Sequence, residues 1–270
     1  MQLSETAYAK INLALHVRRR REDGYHELES LFAFVDGGDR LTARSAAQDE
    51  LRVFGEFAPQ LTDPFGNIIL RALGVLPHAD GLAIQLEKNL PVAAGLGGGS
   101  ADAGAVFRMV REAYGLPDDW RERAARLGAD VPACVDSVTC IGRGTGTELE
   151  VVESDLAGRS VLLVNPRLPL TTGPVFAAWD GTDRGGLPEG PCSRIAQEGR
   201  NDLEAAAIGL CPPIADVLAA LRATEADLVR MSGSGATCFA LYRSHDVMQA
   251  AAQRLAAEQP GWWRMEGRLR

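Results

Sequence analysis

Residues 7–17 alternate: Ala7, Ala9, Ile11, Leu13, Leu15 and Val17 fall on one face of an extended chain, and Tyr8, Lys10, Asn12, Ala14 and His16 on the other. A period of two predicts a β-strand that sets Lys10 and Asn12 side by side. The charged run from Arg18 through Arg19, Arg20, Arg21, Glu22 and Asp23 to Gly24 predicts a solvated hairpin tip, with 28–35 returning as a second strand. The period then changes. Over 100–114, Ala101, Ala105, Val106, Met109, Val110, Ala113 and Tyr114 recur at helical spacing. A further helix over 120–127 is closed by Gly128. Later come a strand over 160–165, a helix over 172–179, a Gly- and Pro-rich surface loop over 181–191 and a helix near 214–222. A hairpin through 228–242, a helix over 245–257 and a last strand near 262–269 follow. This β-α-α-β-β-α-β order predicts a ferredoxin-like α+β domain with one irregular addition. The expected division is 1–157 and 158–270, without internal repeats.

At the carboxyl side of the N-terminal half, the run PVAAGLGGGSADAG, 91–104, places glycines directly before the helix of 100–114. Gly95, Gly97, Gly98 and Gly99 let the backbone turn through positive φ and bring several N–H groups close to one oxyanion, and the positive end of the helix faces the same place. A Walker loop is excluded, because no lysine follows Lys88. A Rossmann fingerprint is excluded because its third glycine is Ser100 and the acids about twenty positions on, Asp118 and Asp119, lie in a Pro-containing turn.

The 270 residues, 46% hydrophobic and 24% charged, are ordinary for a soluble enzyme. A net charge of −8 argues against nucleic acid as a partner, while leaving room for a local cationic pocket. With no apolar stretch of membrane-spanning length, no membrane partner is expected and the cytoplasm is the expected location. Cys134, Cys140, Cys192, Cys211 and Cys238 form no CxxC pair and the four histidines show no metal-ligand spacing, so the thiols are expected as small apolar fillers. Only Lys10 and Lys88 among the 28 basic residues are lysine. Such a bias keeps lysine where a compact ammonium is required, although chance placement stays open for Lys88. Asp130, two residues before Pro132, has two readings as well: N-cap of a helix through Ala133 and Cys134, or a reactive carboxylate.

Taken together, AKINLALHV from Ala9, REDGYHELESLF from Arg21, PVAAGLGGGSADAG from Pro91, GADVPACV from Gly128 and MSGSGATCFAL from Met231 resemble the GHMP kinase superfamily over most of the chain. The loop and the glycine hairpin mark the superfamily, and DGYHE with GADVP mark its branch for a cytidylylated alcohol. The resemblance implies an α+β, two-domain GHMP kinase fold. Its N-terminal domain would be ribosomal-protein-S5-like, for nucleotide binding and catalysis, and its C-terminal domain ferredoxin-like, for substrate. It implies ATP-dependent phosphorylation, with Mg2+, of the 2-hydroxyl of 4-diphosphocytidyl-2-C-methylerythritol in non-mevalonate isoprenoid synthesis. The catalytic pair maps onto Lys10 and Asp130, and the ATP site onto Lys88, Pro91, Gly95, Leu96, Gly97, Gly98, Gly99 and Ser100. Recognition of the substrate, a small molecule with a cytidine diphosphate moiety, maps onto Asn12, Tyr25, His26 and Phe176, with hairpin packing open to Tyr25 and core packing open to Phe176. Where the family commonly has a second serine and a second alanine, this chain has Ala101 and Gly104. No protein ligand for magnesium follows from the resemblance, and Asp102 reads equally as a first-turn helix residue or a metal contact. Kinases of mevalonate, homoserine or sugars have no base to stack on Tyr25, and a catalytically silent nucleotide-binding regulator has no need of both Lys10 and Asp130.

Overall fold

The computed structural model describes residues 2–61, 63 and 66–270. In chain order their elements are β1 (Gln2–Arg20), β2 (His26–Ala46), β3 (Glu50–Phe54), α1 (Ile68–Val75), β4 (Gly81–Glu87), α2 (Gly98–Tyr114), α3 (Trp120–Leu127), α4 (Val131–Asp136), β5 (Cys140–Arg143), β6 (Glu148–Val151) and β7 (Ser160–Asn165). Then come α5 (Thr172–Ala177), α6 (Cys192–Glu198), α7 (Glu204–Leu210), α8 (Pro213–Arg222), β8 (Leu228–Met231), β9 (Cys238–Tyr242), α9 (His245–Glu258) and β10 (Trp263–Arg268). They gather into two compact units that do not follow chain order, and the long strands β1 and β2 contribute to both. β1 outruns the alternating segment at both ends, and residues 9–17 are buried without a break. Both faces of that strand are covered, so Lys10, Asn12 and His16 lie inside, where each needs a polar partner.

The first unit comprises Met1–Lys10, Gly38–Val92 and Gly97–Ser137. β3 runs parallel to β4, which pairs antiparallel with the end of β2. Leu82, Ile84 and Leu86 alternate into the core. α2 is enclosed rather than amphipathic, because all ten residues from 101 to 110 are buried. Its approach to α4 explains one departure from the family pattern. A Cβ at Gly104 would stand 2.4 Å from the carbonyl oxygen of Cys134, so even alanine collides with backbone there. Arg108 is accommodated by Glu5 at 2.8 Å and by the carbonyls of Thr6 and Cys134, both at 2.7 Å.

The second unit comprises Ile11–Gly37, Ala93–Leu96 and Val138–Arg270. Its antiparallel sheet has the spatial order β10-β7-β9-β8, and α8 and α9 pack on it. That is the ferredoxin-like arrangement expected from the element order, with α5, α6 and α7 as the irregular addition between β7 and α8. Leu162, Val164, Ile214, Val217, Leu221 and Tyr242 are among its core residues. All five cysteines are buried, as small fillers should be. Among the described residues no helix is long and apolar enough to cross a membrane.

Candidate active site

The start of α2 is built by backbone conformation. Gly97, the N-cap, has φ 61°, and the helix begins at Gly98, two residues earlier than the sequence predicts. The N–H groups of the first turn, at Gly98, Gly99 and Ser100, have no acceptor within the helix and sit at its positive end, which suits an anion. A Cβ on Gly97 would lie 3.0 Å from Cε of Lys10, so the lysine stem runs along the turn. Lys10 Nζ reaches Asp130 Oδ2 at 3.0 Å, with the lysine side chain 4% exposed and the aspartate 34%. Asp130 does occupy the N-cap position of α4, yet its side chain makes no capping hydrogen bond. Of its two readings, the structure favours the carboxylate directed at Lys10. Ser100 borders the same place, its Oγ 3.9 Å from where a Cβ on Gly128 would stand.

Lys88 lies inside the unit, 2% exposed. Its ammonium donates to Asp39 Oδ2 at 2.5 Å and to Asp102 Oδ2 at 2.8 Å, while Asp39 Oδ1 accepts the backbone N–H groups of Asn89 and Leu90 at 2.6 and 2.8 Å. Burial pulls the Lys88 pKa down, but Asp102 and Asp39 outweigh it and leave the value raised. Burial is also the largest cause at Asp102, whose pKa is pushed up to about 8, with Lys88 opposing and Asp39 adding. A Cβ on Gly98 would be 3.2 Å from this ammonium. The position calls for a point charge between two carboxylates, which the planar guanidinium of arginine does not supply. Asp102 is thus turned inward, its carboxylate on Lys88. Pro91 is buried in the same unit.

In the second unit, Gly95 (φ 77°) has no room for a side chain, since a Cβ would fall 2.2 Å from the Ser232 carbonyl oxygen. Ser232 Oγ donates to the Gly95 carbonyl at 2.8 Å and accepts the N–H of Asn12 at 3.3 Å. Asn12 Nδ2 donates to Ser30 Oγ at 2.7 Å, and Leu96 is buried. Asn201 Nδ2 holds the hairpin through the carbonyls of Met231 and Gly233, each at 2.8 Å. Sequence reasoning used this hairpin only as a family mark and did not find Asn201, whose partners lie about thirty residues away.

Tyr25 is 64% exposed, so it does not pack the hairpin. His26 is buried beside two rings, 4.9 Å from Phe176 and 5.8 Å, edge-on, from Trp179. Burial first and the Arg20 cation second lower its pKa. Phe176 is half-buried and packs on the unit's core, so core packing accounts for part of it. Trp179 was not singled out in the sequence, where nothing separates it from any other helical aromatic. Arg18–Arg20 continue β1, so the turn itself begins at Arg21; the run is engaged in ion pairs, Arg18 with Glu29 and with Asp183 from 165 positions away, Arg19 with Glu27 and Arg21 with Asp23. The solvated tip expected for 18–24 is therefore confined to its end, the exposed residues 21–24.

Residues 67–138 match the N-terminal domain of the GHMP kinases, and residues 190–261 match the GHMP kinase C-terminal domain. The 4-diphosphocytidyl-2-C-methyl-D-erythritol kinase of Novosphingobium aromaticivorans is 67% identical over 100% of this chain and 94% of its own. The protein of the same name from Erythrobacter litoralis is 62% identical over 99% of each chain. A crystal structure of 4-(cytidine 5'-diphospho)-2C-methyl-D-erythritol kinase superposes with a TM-score of 0.83, at 33% identity over 99% of each chain. Both family domains are matched, and relatives of this identity span almost the whole chain with the same two-domain α+β fold, so the chain belongs to the GHMP kinase family.

Proposed function

We propose that this chain phosphorylates the 2-hydroxyl of 4-diphosphocytidyl-2-C-methyl-D-erythritol with ATP, in cytoplasmic non-mevalonate isoprenoid synthesis. The observation that carries the reading is the Lys10–Asp130 pair at 3.0 Å alongside the glycine turn that opens α2, in a chain so similar to kinases of that name. Phosphoryl transfer has a loose transition state, so the protein gains chiefly by positioning the hydroxyl and stabilising phosphate charge. Asp130 orients the hydroxyl and takes its proton. The oxygen bonds to the γ-phosphorus as the bond to the bridging oxygen breaks, and ADP leaves with that electron pair. Lys10 holds the carboxylate and offsets charge on the transferring group. The first-turn N–H groups of α2 hold the nucleotide's phosphates, with Lys88 supporting that turn from within rather than touching the nucleotide.

In the second unit, Tyr25 and Phe176 offer faces for a pyrimidine and His26 offers polar contacts. In chain order we assign nucleotide binding and catalysis to 1–157 and a substrate domain to 158–270, with Tyr25 and His26 of the first segment joining the second unit. Magnesium is ATP's usual companion. Among the described residues no group of three or more His, Cys, Asp or Glu side chains is suited to a metal, so no protein donor is assigned and no step is derived through the ion. An ATPase-coupled assay that compares the cytidylylated alcohol with methylerythritol phosphate, mevalonate and homoserine tests the proposal. Turnover is expected with the first alone, and a preference for any of the others overturns it.

A further inference from the structure

The buried cluster of Asp39, Lys88 and Asp102 holds two carboxylates against one ammonium, an uneven count for groups almost wholly out of water. Its hydrogen bonds are uneven in the same sense. Asp39 receives donors on both oxygens, whereas Asp102 receives Lys88 on Oδ2 only, and its Oδ1 is buried with no hydrogen-bond partner among the described residues. A proton placed on Asp102 makes the cluster neutral. The cluster also has an address, because the ammonium that joins the two acids stands 3.2 Å from the Cβ position of Gly98, the first residue of α2.

We propose that Asp102 is a positioning residue for nucleotide binding: with its proton, a neutral cluster supports the glycine turn of α2, and without it a buried negative charge there weakens the turn's hold on phosphate. The inference rests on reading that turn as the phosphate site. It is supported by the upward push on the Asp102 carboxyl, to about 8. Other charges near α2 are already engaged or outside. On α2 itself Arg108 is held by Glu5, and on α4 Asp130 is held by Lys10 and Asp136 by Arg121. Arg71 on α1 is exposed, and on the sheet Arg40 of β2 stands opposite Glu87 of β4. Lys88 and Asp39 are therefore the groups that face Asp102 directly. Linkage is reciprocal, so if the proton favours nucleotide, nucleotide must favour the proton by the same factor.

Calorimetric titration with a non-hydrolysable ATP analogue at fixed magnesium, without the second substrate, tests this between pH 7 and 9.5. Two buffers of different ionisation enthalpy report the protons exchanged. The wild-type protein should take up a proton on binding, most strongly from about pH 8 upward, and its Kd should rise roughly tenfold across the range. Asp102→Asn, neutral at every pH, should bind as tightly as wild type at pH 7, with a flat profile and no uptake. A residue of purely structural importance would shift Kd equally at all pH values. Normal binding by the wild type with a flat profile and no proton uptake overturns the role of Asp102 alone, whether or not the variant folds. A pH-dependent profile that persists unchanged in Asp102→Asn does the same. No binding of the analogue by the wild type at pH 7 overturns both this role and the phosphate site on which it rests.

Discussion

Asp130 stands where a helix cap is expected and directs its carboxylate to Lys10 instead. The distinction can be measured, because asparagine keeps the size and capping ability of aspartate but cannot take a proton. Asp130→Asn should lower turnover by roughly 10²–10⁴ with the melting temperature hardly changed. Turnover near the wild-type value would remove the base role. Lys88 makes a similar point about residue choice. In a chain that otherwise uses arginine, both lysines are buried in the first unit with carboxylate partners, where a compact charge fits.

Helices and strands carry constraints that no single side chain shows. α2 passes α4 so closely that Gly104→Ala sets a methyl 2.4 Å from a backbone oxygen, which neither element can relieve by a rotamer change. Urea denaturation should show a loss of about 1–3 kcal/mol. A neutral substitution would mean that the two helices separate freely. β1 offers a pH-dependent counterpart in the second unit. His16 Nδ1 contacts the Gly186 carbonyl at 2.9 Å and Nε2 accepts the Arg200 N–H at 3.1 Å, an arrangement that suits the neutral ring. Burial, then Arg200, lowers its pKa. The unfolded chain therefore binds this proton first, and the stability His16 contributes is present above about pH 6.5 and lost as pH falls toward the folded value. His16→Gln should be less stable than wild type at pH 7.5, by a margin that narrows at pH 5.5. Equal margins at both values would exclude the histidine from acid unfolding.

Across the full chain, the proposed roles divide between the two units: the Lys10–Asp130 pair belongs to the first, and Tyr25, His26 and Phe176 belong to the second. Losing one grip on the cytidine end should then be felt in binding of the alcohol rather than in the chemical step. Stacking of a base on an aromatic ring is worth about 1–3 kcal/mol, so Tyr25→Ala should raise KM for the cytidylylated alcohol roughly 10–100-fold. Its kcat should drop much less and KM for ATP should stay put. Steady-state kinetics with each substrate varied in turn separate these terms, and an unchanged KM for the alcohol would end the stacking proposal.

Local chemistry made part of this protein readable from its residues alone. Alternation in 7–17 and glycines before an apolar helix are short-range signals, and such signals were enough for the strand, the loop and the ferredoxin-like order of the later elements, while the pairing of Lys10 with Asp130 came from the family resemblance. Long-range contact supplied the rest. Alternation did not reveal that β1 is covered on both faces, because what buries a strand's second face is another part of the chain. Nor did it reveal that Lys88 is shared by Asp39 and Asp102, that Gly104 meets Cys134, or that Ser232 joins Gly95 to Asn12. The first of these contacts joins residues 49 positions apart and the Ser232–Gly95 contact residues 137 apart. Sequence pattern records which residues can be buried, while desolvation makes a buried charge find its partner wherever folding brings one, and that choice is made only when the chain has closed on itself.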